Sequence, residues 1–71
     1  MKRNMKTYAI YGLMEYLARI PVGGTSVDVH FTGGQLSGFG IRPATYSTDD
    51  PVMQRLIERS QHYRSQRIRL L

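Results

Sequence analysis

Apolar and polar residues alternate most cleanly over residues 25–32, where Val27, Val29 and Phe31 interleave with Ser26, Asp28, His30 and Thr32. A period of two over that length predicts a half-buried strand. Just upstream stands Gly23-Gly24, a pair suited to a two-residue type I′ turn, whose central residues both need positive φ. Folding the chain about that pair predicts a hairpin with Val22 opposite Thr25, Ile20 opposite Val27 and Ala18 opposite Val29. Tyr16 then faces Phe31, and Met14 faces Gly33, all on one apolar face. The other face sets Arg19 against Asp28, Leu17 against His30 and Glu15 against Thr32. The opposite-charge pair supports this register. A competing pattern exists, because Ile10, Leu13, Met14 and Leu17 fall at helical offsets that alone would predict a helix. The hairpin accounts for more of the segment and is preferred. Residues 8–11 then extend its first strand, with Gly12 as a bulge or kink.

The period changes to helical after residue 50. Val52, Met53, Leu56, Ile57, Ser60 and Tyr63 recur on one side, leaving Gln54, Arg55, Glu58, Arg59 and His62 outward. Thr48 or Asp50 can cap the first turn, and Pro51 suits an early helical position. Asp49 and Asp50 complement the positive end of the helix dipole, and Arg59 and Arg64 lie towards the negative end. The helix is expected to run to about Tyr63. Residues 42–47 read as a strand with Pro43 near its start, and residues 67–71 alternate like a final short strand. Residues 33–40 are glycine-rich but are followed by a strand, without the Lys-Ser/Thr pair and helix of a phosphate cradle. They are expected to form a mobile connection. The reading is α+β: a small antiparallel sheet of three to four strands with one helix packed across a face, in the order β-β-β-α-β. Residues 1–71 form a single small domain, of which residues 1–7 are a flexible basic arm.

Size sharpens this picture. In 71 residues a single core supplies only roughly 3–5 kcal/mol. The chain has no cysteine, so no disulfide can staple it, and a reducing compartment suits it. Oligomerisation or docking into a larger assembly is the expected source of further stability. No apolar run is long enough to span a bilayer, and the start of the chain lacks a signal-peptide apolar region. A soluble protein is expected.

The formal net charge is +5, and five arginines (Arg55, Arg59, Arg64, Arg67 and Arg69) fall in the last stretch against one acid, Glu58. Arginine's planar fork suits phosphates, carboxylates and protein interfaces alike. Those five arginines are the candidate nucleic-acid contacts. The exposed face of the helix is otherwise expected to be solvated, with Glu58 paired to its arginine neighbours. Leu36 and Phe39 in the glycine-rich segment, with Tyr8 and Tyr11, are the candidate protein-interface residues. Asp28 and His30 share a strand face, but with two histidines and five acids in the chain no third ligand or nucleophile accompanies them. Asp49-Asp50 reads as capping, since adjacent residues cannot both face one substrate. Neither a metal site nor a cofactor nor enzymatic activity on a small-molecule substrate is expected.

The string Ala44-Thr45-Tyr46-Ser47-Thr48-Asp49-Asp50-Pro51, followed by Gln54, Ile57-Glu58, Ser60, Tyr63 and Arg67-Ile68, resembles a loose group of small phage-encoded proteins from gut Bacteroides-type phages. In these, a hairpin and a Thr-Asp-Asp segment lead into a helix bearing Ile-Glu or Leu-Glu. The Gly-Gly hairpin and its Phe31-Thr32-Gly33-Gly34 end are similar too, while the longer glycine-rich segment is a departure. The resemblance spans about residues 13–70 and carries no catalytic residue. It implies a phage origin and a virion structural or assembly role, as a capsid or head–tail component contacting other virion subunits or copies of itself. The chain would then reside in the host cytoplasm during assembly and afterwards in the virion. The alternative is a small basic nucleic-acid-binding protein that uses the arginine-rich C-terminal third.

Overall fold

Gly23 and Gly24 both take positive φ, 47° and 84°, and turn β2 (Tyr16–Val22) back onto β3 (Thr25–Phe31). The register matches the expectation from Val22↔Thr25 through Ile20↔Val27 and Ala18↔Val29 to Tyr16↔Phe31. Arg19 Nε donates to Asp28 Oδ1 at 3.1 Å across the outer face. Ala18, Ile20, Val29 and Phe31 are buried on the inner face. Beyond Tyr16 the pairing ends. Thr32 leaves β2 to bridge to Thr45, with backbone bonds of 3.1 and 2.8 Å, and Met14 O accepts from Gly34 N at 3.0 Å. The expected pairs Glu15–Thr32 and Met14–Gly33 therefore do not form. The computed structural model describes residues 4–37 and 40–71, with the side chains of residues 36, 37 and 40 left aside.

Residues 8–11 do not extend the hairpin. Gly12, at φ 89°, separates them from β2, and β1 (Lys6–Ile10) becomes the middle strand of a second sheet. Its neighbours are β6 (Ala44–Thr48) and β7 (Arg69–Leu70), both antiparallel to it. The physical reason is that Tyr8, Ala9 and Ile10 are all buried. A strand flanked on both edges and covered on its faces shows an apolar run and no alternation. Lys6 and Thr7 belong to this strand and pair with Thr48 and Ser47, so the arm expected over residues 1–7 is strand at its end. Residues 1–3 lie outside the described residues. The Thr32–Thr45 bridge ties the two sheets together, because Thr45 pairs with Ala9 on its other side.

Where a mobile connection was expected, the chain forms two short paired strands, β4 (Gln35–Ser37) and β5 (Gly40–Arg42). Gly34 enters this unit so close to the β1–β2 turn that a Cβ would collide with the Leu13 carbonyl oxygen and come 2.9 Å from Met14 Cα. The strand expected over residues 42–47 is divided at Pro43, which has no N–H to give to a ladder.

Asp50 caps α1 (Pro51–Arg59), its Oδ1 accepting from Val52 N at 2.9 Å, and Thr48 Oγ1 in turn accepts from Asp50 N at 3.1 Å. The helix stops four residues short of the expected Tyr63. Ser60 is extended (φ −72°, ψ 156°) and buried. Its hydroxyl donates to Ile57 O at 2.6 Å and accepts from Tyr63 N at 3.3 Å. One side chain thus ends α1 and begins α2 (Gln61–Arg64). The inward face also differs from the expectation. Ile57 is fully buried and Met53 packs beside it, but Gln54 points inward and Val52 is 65% exposed. At 3.6 residues per turn Gln54 lies about 60° from Ile57 and Val52 about 140° away. Gln54 is tolerated inside because its amide donates to Asn4 O at 2.7 Å and Thr48 O at 2.8 Å, satisfying carbonyls just before β1 and at the end of β6.

The fold is α+β, a small globule of short antiparallel sheets and a packed helix, with more strands than the β-β-β-α-β order held. Its core gathers Tyr8 and Ile10, the inner residues of the hairpin, Ala44, Ile57 and Ile68. Ile57→Ala is expected to cost about 2–5 kcal/mol, and Leu56→Ala less, since Leu56 is only partly covered. Arg55→Ala, on the exposed face, should cost under ~0.5 kcal/mol. Urea denaturation of the three variants measures the order.

Candidate functional site

The C-terminal turn brings two predicted classes of residue together. Gln66 adopts φ 65°, and the turn closes with Gln66 N donating to Tyr63 O at 3.0 Å and Arg67 N to His62 O at 2.9 Å. The chain then re-enters the sheet beside β1, so Arg67 and Arg69 come to line a groove of about 510 Å³ with Tyr11, Ser65 and Gln66. Arg67 is held in place: Nη1 donates to the Tyr16 hydroxyl at 3.2 Å, and the guanidinium lies 6.0 Å from that ring's centroid. The Tyr16 ring packs edge-on against His62 at 5.9 Å. Tyr11, Leu13 and Met14 of the β1–β2 turn and Leu17 on the outer face of β2 are all more than a third exposed. Met14 was expected on the hairpin's apolar face and is instead exposed, whereas Leu17 lies where the register put it, on the polar face opposite His30.

The other candidates scatter. Arg55 and Arg59 line a separate recess with Lys6 and Glu58, and Arg64 is exposed on α2. The five arginines therefore make no single surface. Leu36's side chain and Phe39 lie outside what the structure describes. Asp28 is taken by Arg19, and His30 Nε2 sits 3.7 Å from a Glu15 carboxylate oxygen. Among the described residues no cluster of three or more metal-ligating side chains occurs.

Tyr8 is corrected outright. It is wholly buried, and its hydroxyl donates to Glu58 Oε2 at 2.6 Å while Lys6 Nζ donates to the same oxygen at 3.0 Å. Glu58 thus pairs with the central strand and not with its helical arginine neighbours. The Tyr8 hydrogen bond, then that from Lys6, holds the Glu58 carboxyl below its ordinary range. Burial, reinforced by the Glu58 carboxylate, pushes the Tyr8 phenol well above its ordinary value. Lys6 and Glu58 also line the recess shared with Arg55 and Arg59, but the wholly buried Tyr8 hydroxyl ties the central strand to the helix, so the group braces the fold. The pH dependence follows from the two directions. Glu58, lowered in the folded state, stabilises above its ordinary value of 4.5, and that contribution is lost as pH falls through its folded value. Tyr8, raised, contributes fully below its ordinary value of 10.0 and loses that contribution as pH rises beyond it. Thermal melts across pH are expected to show Glu58→Gln with a shallower acid loss and Tyr8→Phe with a shallower alkaline loss. At neutral pH Tyr8→Phe should cost about 1.5 kcal/mol.

Compared with known proteins, the chain matches no family model, no curated protein and no solved structure.

Proposed function

We propose that the chain is a small structural or assembly protein that works through protein–protein contacts, as a component of a phage particle. The observation that carries the contact reading is the exposure of Tyr11, Leu13, Met14 and Leu17 around the β1–β2 turn and the start of β2, with Tyr11 sharing a groove with the tethered Arg67. A chain with so small a core gains most from covering such residues with a partner. Arg67 is already immobilised on Tyr16, so pairing it with a partner's carboxylate costs little further side-chain entropy. The phage origin is supported by the likeness of residues 44–68 to small phage-encoded proteins. No helix among the described residues is long and apolar enough to cross a membrane.

A second reading has one observation in its favour: Tyr11 shares its groove with Arg67 and Arg69, a surface on which a nucleic-acid base could stack between phosphate contacts. Against it, Lys6 and Arg19 are engaged by Glu58 and Asp28, and the remaining arginines face different ways.

Mass spectrometry of purified particles is expected to find the chain as a stoichiometric component. Leu17→Asp and Met14→Asp should reduce incorporation while leaving the melting temperature unchanged. On single-stranded DNA, two phosphate contacts give a slope of log K against log salt of about −1.4, against about −3.5 if all five arginines engage. Weak binding with the shallower slope is expected. Tight binding at physiological salt, with the chain absent from particles, would overturn the structural role.

A further inference from the structure

The break at Ser60 opens a second groove, of about 460 Å³, between β2 and the junction of α1 with α2. Its apolar lining comes from Ile20, Val22 and Leu56, its cationic lining from Arg19 and Arg59, and the His62 ring stands at the edge. No carboxylate lines it. Asp28 holds only the Nε side of Arg19, and Glu58 is turned to Tyr8 and Lys6. His62 Nε2 lies 3.4 Å from Arg19 O, which fixes the ring at the rim. The groove is thus shaped for an apolar side chain flanked by negative charge.

The same chain carries such a feature at the other end of α1. Asp49, Asp50, Pro51 and Val52 form an exposed turn, and Val52 is 65% exposed although the helical period assigned it to the core. The nine residues of α1 span about 13 Å, so a copy cannot reach its own groove with its own turn. We infer that the cap turn of one copy, with Val52 as the apolar anchor and Asp49 as the charge, seats in the Arg19–Arg59–His62 groove of the next. The contact joins two different surfaces, head to tail, and such contacts generate rings or filaments according to the rotation between copies. Asp50 contributes its backbone shape, since its carboxylate is already engaged as the helix cap.

The contact is small, so the association is weak and is sought at about 0.1–1 mM protein. Sedimentation of the purified chain over that concentration range tests it. The mass is expected to rise with concentration, and Asp49→Lys or Arg59→Glu alone should weaken association by about tenfold or more. Both positions are exposed, and unchanged melting temperatures would show that the variants fold. The decisive arm mixes the two variants. Each keeps one intact surface, and the altered pair is itself complementary, so mixing restores association. A chain that stays monomeric throughout, or associates equally as either variant, overturns the inference. So does association that mixing fails to restore, or that oligothymidylate abolishes without salt being changed. Particle incorporation is measured separately, so a monomer found in particles would overturn this contact while leaving the proposed function standing.

Discussion

A phenol that is wholly buried must still give its proton to an acceptor, and in this chain that requirement sets the position of the helix on the sheet. Tyr8 stands on the middle strand with no exposure to solvent, and an unpartnered hydroxyl there would forfeit the hydration it had in the unfolded chain. Glu58 supplies the acceptor from α1, and Lys6, two residues before Tyr8 and on the same side of the strand, balances the charge that Glu58 brings. With that oxygen fixed, Ile57 next to it must face the core. Ser60 follows one turn later, where the helix breaks and Tyr63 comes to rest edge-on against the Tyr8 ring at 6.3 Å. The return of the chain into β7 starts from this point, and Leu71 N closes the sheet on Thr7 O at 2.9 Å.

The hairpin was legible because two independent signals agreed. Glycine chemistry named the turn, and alternation named the register, so every pair from Val22↔Thr25 to Tyr16↔Phe31 follows from them. Residues 6–10 carry neither signal. Their polar start, Lys6-Thr7, looks like a frayed terminus, and their apolar end has no alternation because the strand is enclosed on both faces. Placing them requires knowing that residues 44–48 and 69–70 flank them, and such long-range pairing leaves no mark in a local pattern. The helix start was legible from Asp50 and Pro51. Its end was not, since Ser60 falls at an inward phase and reads as a small core residue until its hydroxyl is seen capping in both directions.

The surface was harder to read than the fold for a related reason. The hairpin register already set Leu17 outward and Ile20 inward, but only the completed topology shows that Met14, placed on the apolar face, stays exposed. The arginines illustrate the converse. Their concentration near the C-terminus made them nucleic-acid candidates, but the break after α1 and the turn at Gln66 divide them between separate grooves. Arg67 and Arg69 were brought beside Tyr11 by the turn, a meeting that sequence distance conceals.

Pro21 sits on β2 opposite Ser26, at a position whose backbone groups point away from β3, because Val22↔Thr25 is the hydrogen-bonded pair that closes the two-residue turn. That edge therefore lacks one donor outright. Another of its groups, the Arg19 carbonyl, lies within 3.4 Å of His62. Edge-to-edge growth of sheets is the hazard for any protein made mostly of short strands. Here one proline and one histidine blunt the outer edge of β2 against cross-β pairing.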